Sequence, residues 1–252
     1  MSTAICVASG KGGTGKTSVS SGIACCLAAL DKRVVALDAD IGLRNLDLVL
    51  GLSDRAVFDF TDVLSGRATL EKALTQHPEI PNLYLLAAPL GIKAGDISIA
   101  EMKGLVEELK KSFDFCIIDC PAGLGFGFEL AVEVADRALV VCTPDIASLR
   151  DAQLTRSALK GSGIEDIRLV INRVRPRLIK NLEAANIDEA IDKTGIRLLG
   201  IVPEDARVIA SANCGTLVFK HMNTPAARAY RNISRRMLGE QIPLLKLKKR
   251  MG

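Results

Sequence analysis

The run Ser9-Gly10-Lys11-Gly12-Gly13-Thr14-Gly15-Lys16-Thr17 has the residue types and spacing to hold a phosphate chain. From Gly10 to Thr17 it fits the template G-x-x-x-x-G-K-[ST]. Glycines let the backbone curl so that several N–H groups converge on one phosphate group, Lys16 can reach the β- and γ-phosphates, and the Thr17 hydroxyl can ligate Mg²⁺. With Ser18 behind it, the run opens a helical stretch whose N-terminus faces the anion. A glycine-rich turn with a chance lysine is the alternative, and the strand-like run Ala4–Ala8 just before the loop speaks against it.

Three carboxylates complete this chemistry. The apolar run from Phe113 ends in Asp119, the position from which a Walker B carboxylate faces the metal beside Thr17. The second apolar run leads into Leu37-Asp38-Ala39-Asp40-Ile41-Gly42-Leu43-Arg44-Asn45. Hydrolysis needs a water held in line with the γ-phosphate. Asp40 can orient or weakly deprotonate such a water, and Asn45 can position it. Asp38, nearer the strand, is placed to hold the Mg²⁺ shell or the loop. A D-x-D pair could also be no more than a helix cap. The predicted metal set is Thr17, Asp38, Asp40 and Asp119; the predicted catalytic set is Lys11, Lys16, Asp40 and Asn45.

Lys11 is a second lysine inside the loop, and an ordinary phosphate loop does not need it. K-G-G-x-G-K-T resembles the deviant Walker A signature of the MinD/ParA family of dimerising ATPases. The resemblance implies that Lys11 crosses a dimer interface to a second subunit's nucleotide. The run D-x-D-I-G-L-R-N-L-D is similar to switch I of the MinD branch and less like that of plasmid-partition relatives. Asp119-Cys120-Pro121-Ala122-Gly123 resembles switch II, and Pro144–Ala152 resembles the segment lining the dimer and partner surface. No N-K-x-D guanine motif is visible. In the family an Asn at the position of Asn172 and backbone near Pro203 and Asp205 hold adenine. The Asn172 amide matches adenine's N6 and N7, although an Asn there also serves as a helix cap. ATP and Mg²⁺ are the implied cofactors.

These residues need a frame. Apolar runs at Ala4–Ala8, Val34–Leu37, Leu83–Ala87, Phe115–Ile118, Ala138–Cys142, Ile167–Ile171 and Leu198–Val202 alternate with amphipathic stretches at Thr17–Leu30, Ser98–Lys111, Phe126–Ala135, Ile146–Lys160 and Leu182–Lys193. Continuous apolar strands separated by helices predict an α/β fold: a doubly wound, mostly parallel sheet with helices on both faces, of the P-loop NTPase type. Ligands of such sheets bind at the carboxyl ends of the strands, where the carboxylates above fall.

The chain has 252 residues, 48% apolar and 25% charged, without Trp. One large domain accommodates this length, and the core must be built from Val, Ile, Leu and Ala. Met1-Ser2-Thr3 leads directly into the first strand-like run, so no secretory signal is expected. No apolar run reaches the ~18–20 residues of a membrane span, and a cytoplasmic location is expected. Seven cysteines include no C-x-x-C pair, so buried filler is expected, with Cys120 the thiol to watch. His77 and His221 have no ligand-like company.

Charge is uneven. Residues 231–252 carry Arg231, Arg235, Arg236, Lys246, Lys248, Lys249 and Arg250 against Glu240 alone, a net +6 in a chain of +4. The expected division is an ATPase domain over 1–239 and a basic tail over 240–252. Pro243 suits a helix start, after which Leu244, Leu245, Leu247 and Met251 share one side and Lys246, Lys249 and Arg250 the other, with Lys248 interrupting. A disordered solubilising tail is the alternative.

The resemblance implies an ATP-dependent dimerising ATPase that binds the inner membrane surface reversibly through anionic lipid and positions the division septum. A septum-inhibitor cargo and an ATPase-activating partner come with it. A DNA-partitioning ATPase of the ParA type is the rival, against which the tail leucines argue, since phosphate contacts do not need them. A third reading, a reductase related to the nitrogenase iron protein, is kept open by Cys120; no iron–sulfur cluster is expected.

Overall fold

A computed structural model describes residues 2–181, 184–214 and 223–245. The predicted apolar runs are all strands: β1 Thr3–Ala8, β2 Val34–Asp38, β4 Leu83–Leu86, β5 Phe115–Asp119, β6 Arg137–Cys142, β7 Ile167–Val174 and β8 Arg197–Pro203. They form one sheet in the order β3-β4-β2-β5-β1-β6-β7-β8. Every pairing is parallel except that of β3, Thr75–Gln76, an antiparallel edge strand. Two residues of strand carry no periodicity, which is why β3 is absent from the sequence reading.

The sheet divides two apolar clusters. On one face Met102, Leu105, Phe128, Leu149 and Leu159 pack from α5 Ile99–Lys110, α6 Phe126–Val132 and α7 Ile146–Gly161. On the other, Val19, Ile23, Leu27, Tyr230 and Ile233 pack from α1 Lys16–Ala28 and α11 Pro225–Met237. Both faces are thus covered, as the strand pattern requires.

Short helices fill the connections: α2 Leu46–Leu50, α3 Phe60–Leu64, α4 Leu70–Ala73, α8 Pro176–Lys180, α9 Ile187–Thr194 and α10 Ala206–Asn213. The helix expected over Leu182–Lys193 begins later, at α9. Asn186 accepts from Glu189 N, and Glu189 returns a bond to Asn186 N, a capping box that fixes the start. Leu182 itself lies outside the described residues, as does His221.

Three of the basic residues counted over 231–252, Arg231, Arg235 and Arg236, belong to a packed helix. They stand on α11, whose Ala226, Ala229, Tyr230 and Ile233 are buried. A Cβ at Gly22 of α1 would meet the Tyr230 ring at 2.5 Å, so this helix pair needs glycine for its close approach. Arg235 is tied to Glu240. Arg236 donates to the carbonyls of Leu199, Ile242 and Pro243. Residues 241–245 are not helical, so no helix starts at Pro243 within them; Lys246, Leu247, Lys248, Lys249, Arg250 and Met251 lie outside the described residues.

Candidate nucleotide site

The carboxyl ends of β1, β2 and β5 bring the predicted loop and carboxylates together. Asp38 and Asp119 are register partners on β2 and β5, and Val7 of β1 is Asp119's partner on the other side. Chain from β1 enters the loop and then α1, so Lys16 and Thr17 stand over the end of β5. Lys16 Nζ lies 2.9 Å from Asp119 Oδ1, both buried. Thr17 Oγ1 donates to Asp119 Oδ2 at 2.7 Å, and Ser20 Oγ to Asp119 Oδ1 at 2.7 Å. Burial opposes the charge of Lys16, but the adjacent Asp119 carboxylate outweighs it and holds the ammonium above its ordinary range.

An open cleft of about 1040 Å³ runs along this loop. Lys11 to Ser18 line it together with Asp40, Asn45 and Ala122. Ser9 also lines it, whereas Gly10 is packed against α7, where a Cβ would meet Asp151 Cβ at 2.6 Å. Asp40 is half-buried, and burial first, then Asp119, raise its carboxyl against the pull of Lys16. Asp38 is used differently. Its two oxygens accept from Asp40 N at 2.9 Å and Leu46 N at 3.0 Å, so it shapes the loop that presents Asp40 and Asn45. Burial and Asp119 push its carboxyl up to about 7.

A second cleft, of about 670 Å³, adjoins the first at Gly15 and Ser18. Asn172, Pro203 and Asp205 line it. Asn172 lies inside β7 and caps no helix, so that alternative falls. It is 4% exposed and donates to Thr14 O at 2.8 Å. A Cβ on Gly15 would meet its Nδ2 at 2.4 Å, and Gly15 has φ +83°, so both space and backbone demand glycine there. Asp205 caps α10 through Arg207 N and also accepts from Ala226 N. Its carboxylate is thereby engaged.

Sequence reasoning missed Arg173. It lines both clefts from a bulged part of β7 and is held at φ +54°, an uncommon conformation for a non-glycine residue. The run Ile171-Asn172-Arg173 contained it, but a strand pattern does not announce a bulge. Asp145 was also missed as a partner: Lys11 Nζ pairs with its Oδ1 at 3.0 Å. Cys120 is fully buried, and burial beside Cys6 drives its thiol well above the ordinary range. Among the described residues no helix is long and apolar enough to cross a membrane.

The donors fit a hard divalent cation: Thr17 Oγ1 and Asp119 are oxygen ligands of the kind Mg²⁺ takes alongside phosphate. Thr14 Oγ1 is buried without a hydrogen-bond partner in the wall of the same loop, a donor suited to an anion.

Residues 5–218 match the family described as the CobQ/CobB/MinD/ParA nucleotide binding domain. The chain is 44% identical to the septum site-determining protein MinD of Bacillus subtilis over 246 residues, 97% of this chain and 92% of the relative. Its structure resembles that in the MinC:MinD cell division protein complex of Aquifex aeolicus, with TM-score 0.91 and 36% identity over 98% of this chain and all of that one. It also resembles the septum site-determining protein MinD of Pyrococcus horikoshii, complexed with Mg-ADP, with TM-score 0.85 and 29% identity over 94% and 96%.

Proposed function

The chain belongs to the CobQ/CobB/MinD/ParA nucleotide-binding family, and from that premise we propose that it works as a MinD-type switch in placing the division septum. It is a Mg²⁺-dependent ATPase. In this reading ATP binds along the loop and two chains close over it. The assembly carries a septum inhibitor and docks on the inner face of a membrane through the C-terminal residues 240–252, with 1–239 as the ATPase domain.

The observation that carries the proposal is the network on Asp119, which joins Lys16, Thr17 and Ser20 at the end of β5 beside an open cleft. Bound Mg²⁺ would be held by Thr17 and Asp119 and would offset charge on the phosphate oxygens. Lys16, freed toward the cleft, neutralises the β- and γ-phosphates. Loop amides and Thr14 Oγ1 donate to phosphate oxygen. Asp40 orients the attacking water and Asn45 positions it. Asp38 holds the segment bearing both, and Asn172 with backbone at Pro203 and Asp205 frames adenine. Lys11 leaves Asp145 to meet the phosphates of a second chain.

Exposed Leu43 and Leu48 line the cleft, as expected of a surface that a second copy covers. Light scattering of the purified chain tests the proposal: mass should double with ATP and Mg²⁺ and return to the monomer value with ADP. A mass indifferent to nucleotide would overturn it.

A further inference from the structure

At the opposite end of the sheet lies a small, open cleft that nucleotide chemistry does not use. Its walls come from the first residues of β6 and β7, from β1 and β8, and from the end of α11. Arg137, Arg168 and Arg236 line it. Arg197 of β8 is Arg168's register partner and so projects from the same face of the sheet. Against the three guanidinium groups that line it, and Arg197 on the neighbouring strand, the cleft holds one carboxylate, Asp166. It pairs with Arg168 Nε at 2.6 Å and Arg137 Nε at 3.5 Å. Arg236 is bonded to three carbonyls and, among the described residues, to no acid. Arg197 is exposed and has no ion-pair partner among the described residues.

Four like charges on one carboxylate oppose folding, and planar guanidinium forks suit phosphate oxygens. The floor is different in kind: Ile5, Leu139, Leu199 and Met237 are apolar. Leu245 packs against the same apolar cluster. Arg236 clamps the carbonyls of Ile242 and Pro243, which fixes where the C-terminal segment leaves the domain, and Leu244 beyond it is 46% exposed. An apolar floor under a cationic rim, beside the root of a segment that continues Lys246-Leu247-Lys248-Lys249-Arg250, matches an amphiphile better than a free anion.

We propose that this cleft takes the phosphate headgroup of one anionic phospholipid, with Arg137, Arg168 and Arg197 on the phosphate and the start of the acyl chains on the apolar floor. The site would orient each chain on the membrane, where the C-terminal segment alone gives only adhesion. The proposal rests on the membrane reading above, and its test is built to fail separately.

The probe is dihexanoyl phosphatidylglycerol, kept monomeric and titrated by NMR into the full chain, the variant Arg137→Gln/Arg197→Gln, and the chain truncated after Pro243. Unchanged ATP hydrolysis and a melting temperature no lower than that of wild type serve as the folding control for the double variant. Wild type should bind one lipid per chain saturably, with the truncated chain within about threefold of it and the double variant at least tenfold weaker. Dihexanoyl phosphatidylcholine should not saturate. Equal binding by the double variant, or loss of binding on truncation alone, overturns the cleft as the site. Inorganic phosphate binding as tightly as the lipid makes it a free-anion site and overturns the lipid assignment. Wild type that sediments with phosphatidylglycerol vesicles yet does not bind the short-chain lipid leaves the membrane reading standing and sinks this one. Wild type that never sediments with vesicles sinks both.

Discussion

Lys11 Nζ and Asp145 Oδ1 sit 3.0 Å apart, joining the phosphate loop to the N-terminus of α7 across 134 residues of chain. The pair is partly exposed, at 36% and 51%, so it is worth well under ~1 kcal/mol. Burial raises the Asp145 carboxyl, but donation from Thr143 Oγ1 and Ser148 N, together with Lys11, outweighs it and holds the carboxylate below the ordinary range. Lys11 is therefore parked by a weak contact on a rigid acceptor, an arrangement that a second chain's phosphates can outcompete.

Asp145→Asn keeps the cap on α7 and removes the charge that parks Lys11. ATP-driven dimerisation should strengthen by about twofold, the scale of one exposed surface pair. Lys11→Ala should still bind nucleotide but fail to dimerise. Sedimentation velocity with ATP separates the two, and a Lys11→Ala dimer as stable as wild type would contradict a role in trans.

Lys16→Ala removes the cation bonded to Asp119 and reaching toward the cleft. Nucleotide affinity should fall by about 10–100-fold, the value of one charge-assisted hydrogen bond. Fluorescent-nucleotide titration reads this directly.

Asp40→Ala should slow hydrolysis by about 100-fold or more while ATP affinity stays near wild type, because in the proposed reading Asp40 orients the water and does not hold the nucleotide. Asp119→Ala should lose affinity as well, since it holds both Lys16 and Thr17. If both variants lose affinity alike, Asp40 is a metal ligand and not a water-positioning group.

The Asp38 carboxyl, raised to about 7, favours folding while protonated. Its contribution is full below the ordinary carboxylate range and is lost as pH rises through about 7. Nucleotide-free protein should therefore lose stability between pH 5 and 8, by at most ~1.4 kcal/mol per pH unit from this group. Asp38→Asn should flatten that slope, whatever its effect on the absolute melting temperature, because one lost acceptor shifts every pH equally.

The seven main strands were legible because each is built on a short, mostly apolar run that is largely buried on both faces, and the phosphate loop because spacing alone defines it. Contacts between distant positions were not. Asn172 supports Thr14 across 158 residues, and nothing local to either announces it. Helix α11 was written in the sequence, with Ala226, Ala229, Tyr230 and Ile233 at helical spacing, but its arginines drew the reading toward a tail. Asp38 was legible as a site carboxylate, whereas its two backbone amides follow from a loop path that only the fold sets.

The central claim is that nucleotide state controls attachment to an anionic membrane. Co-sedimentation of the full chain with phosphatidylglycerol vesicles, with ATP and Mg²⁺ or with ADP, measures it most directly. The account predicts that protein pellets with vesicles in ATP, stays in solution in ADP, and stays in solution in both when truncated after Pro243. Pelleting that ignores the nucleotide, or ATP-dependent pelleting with DNA and never with vesicles, would contradict it.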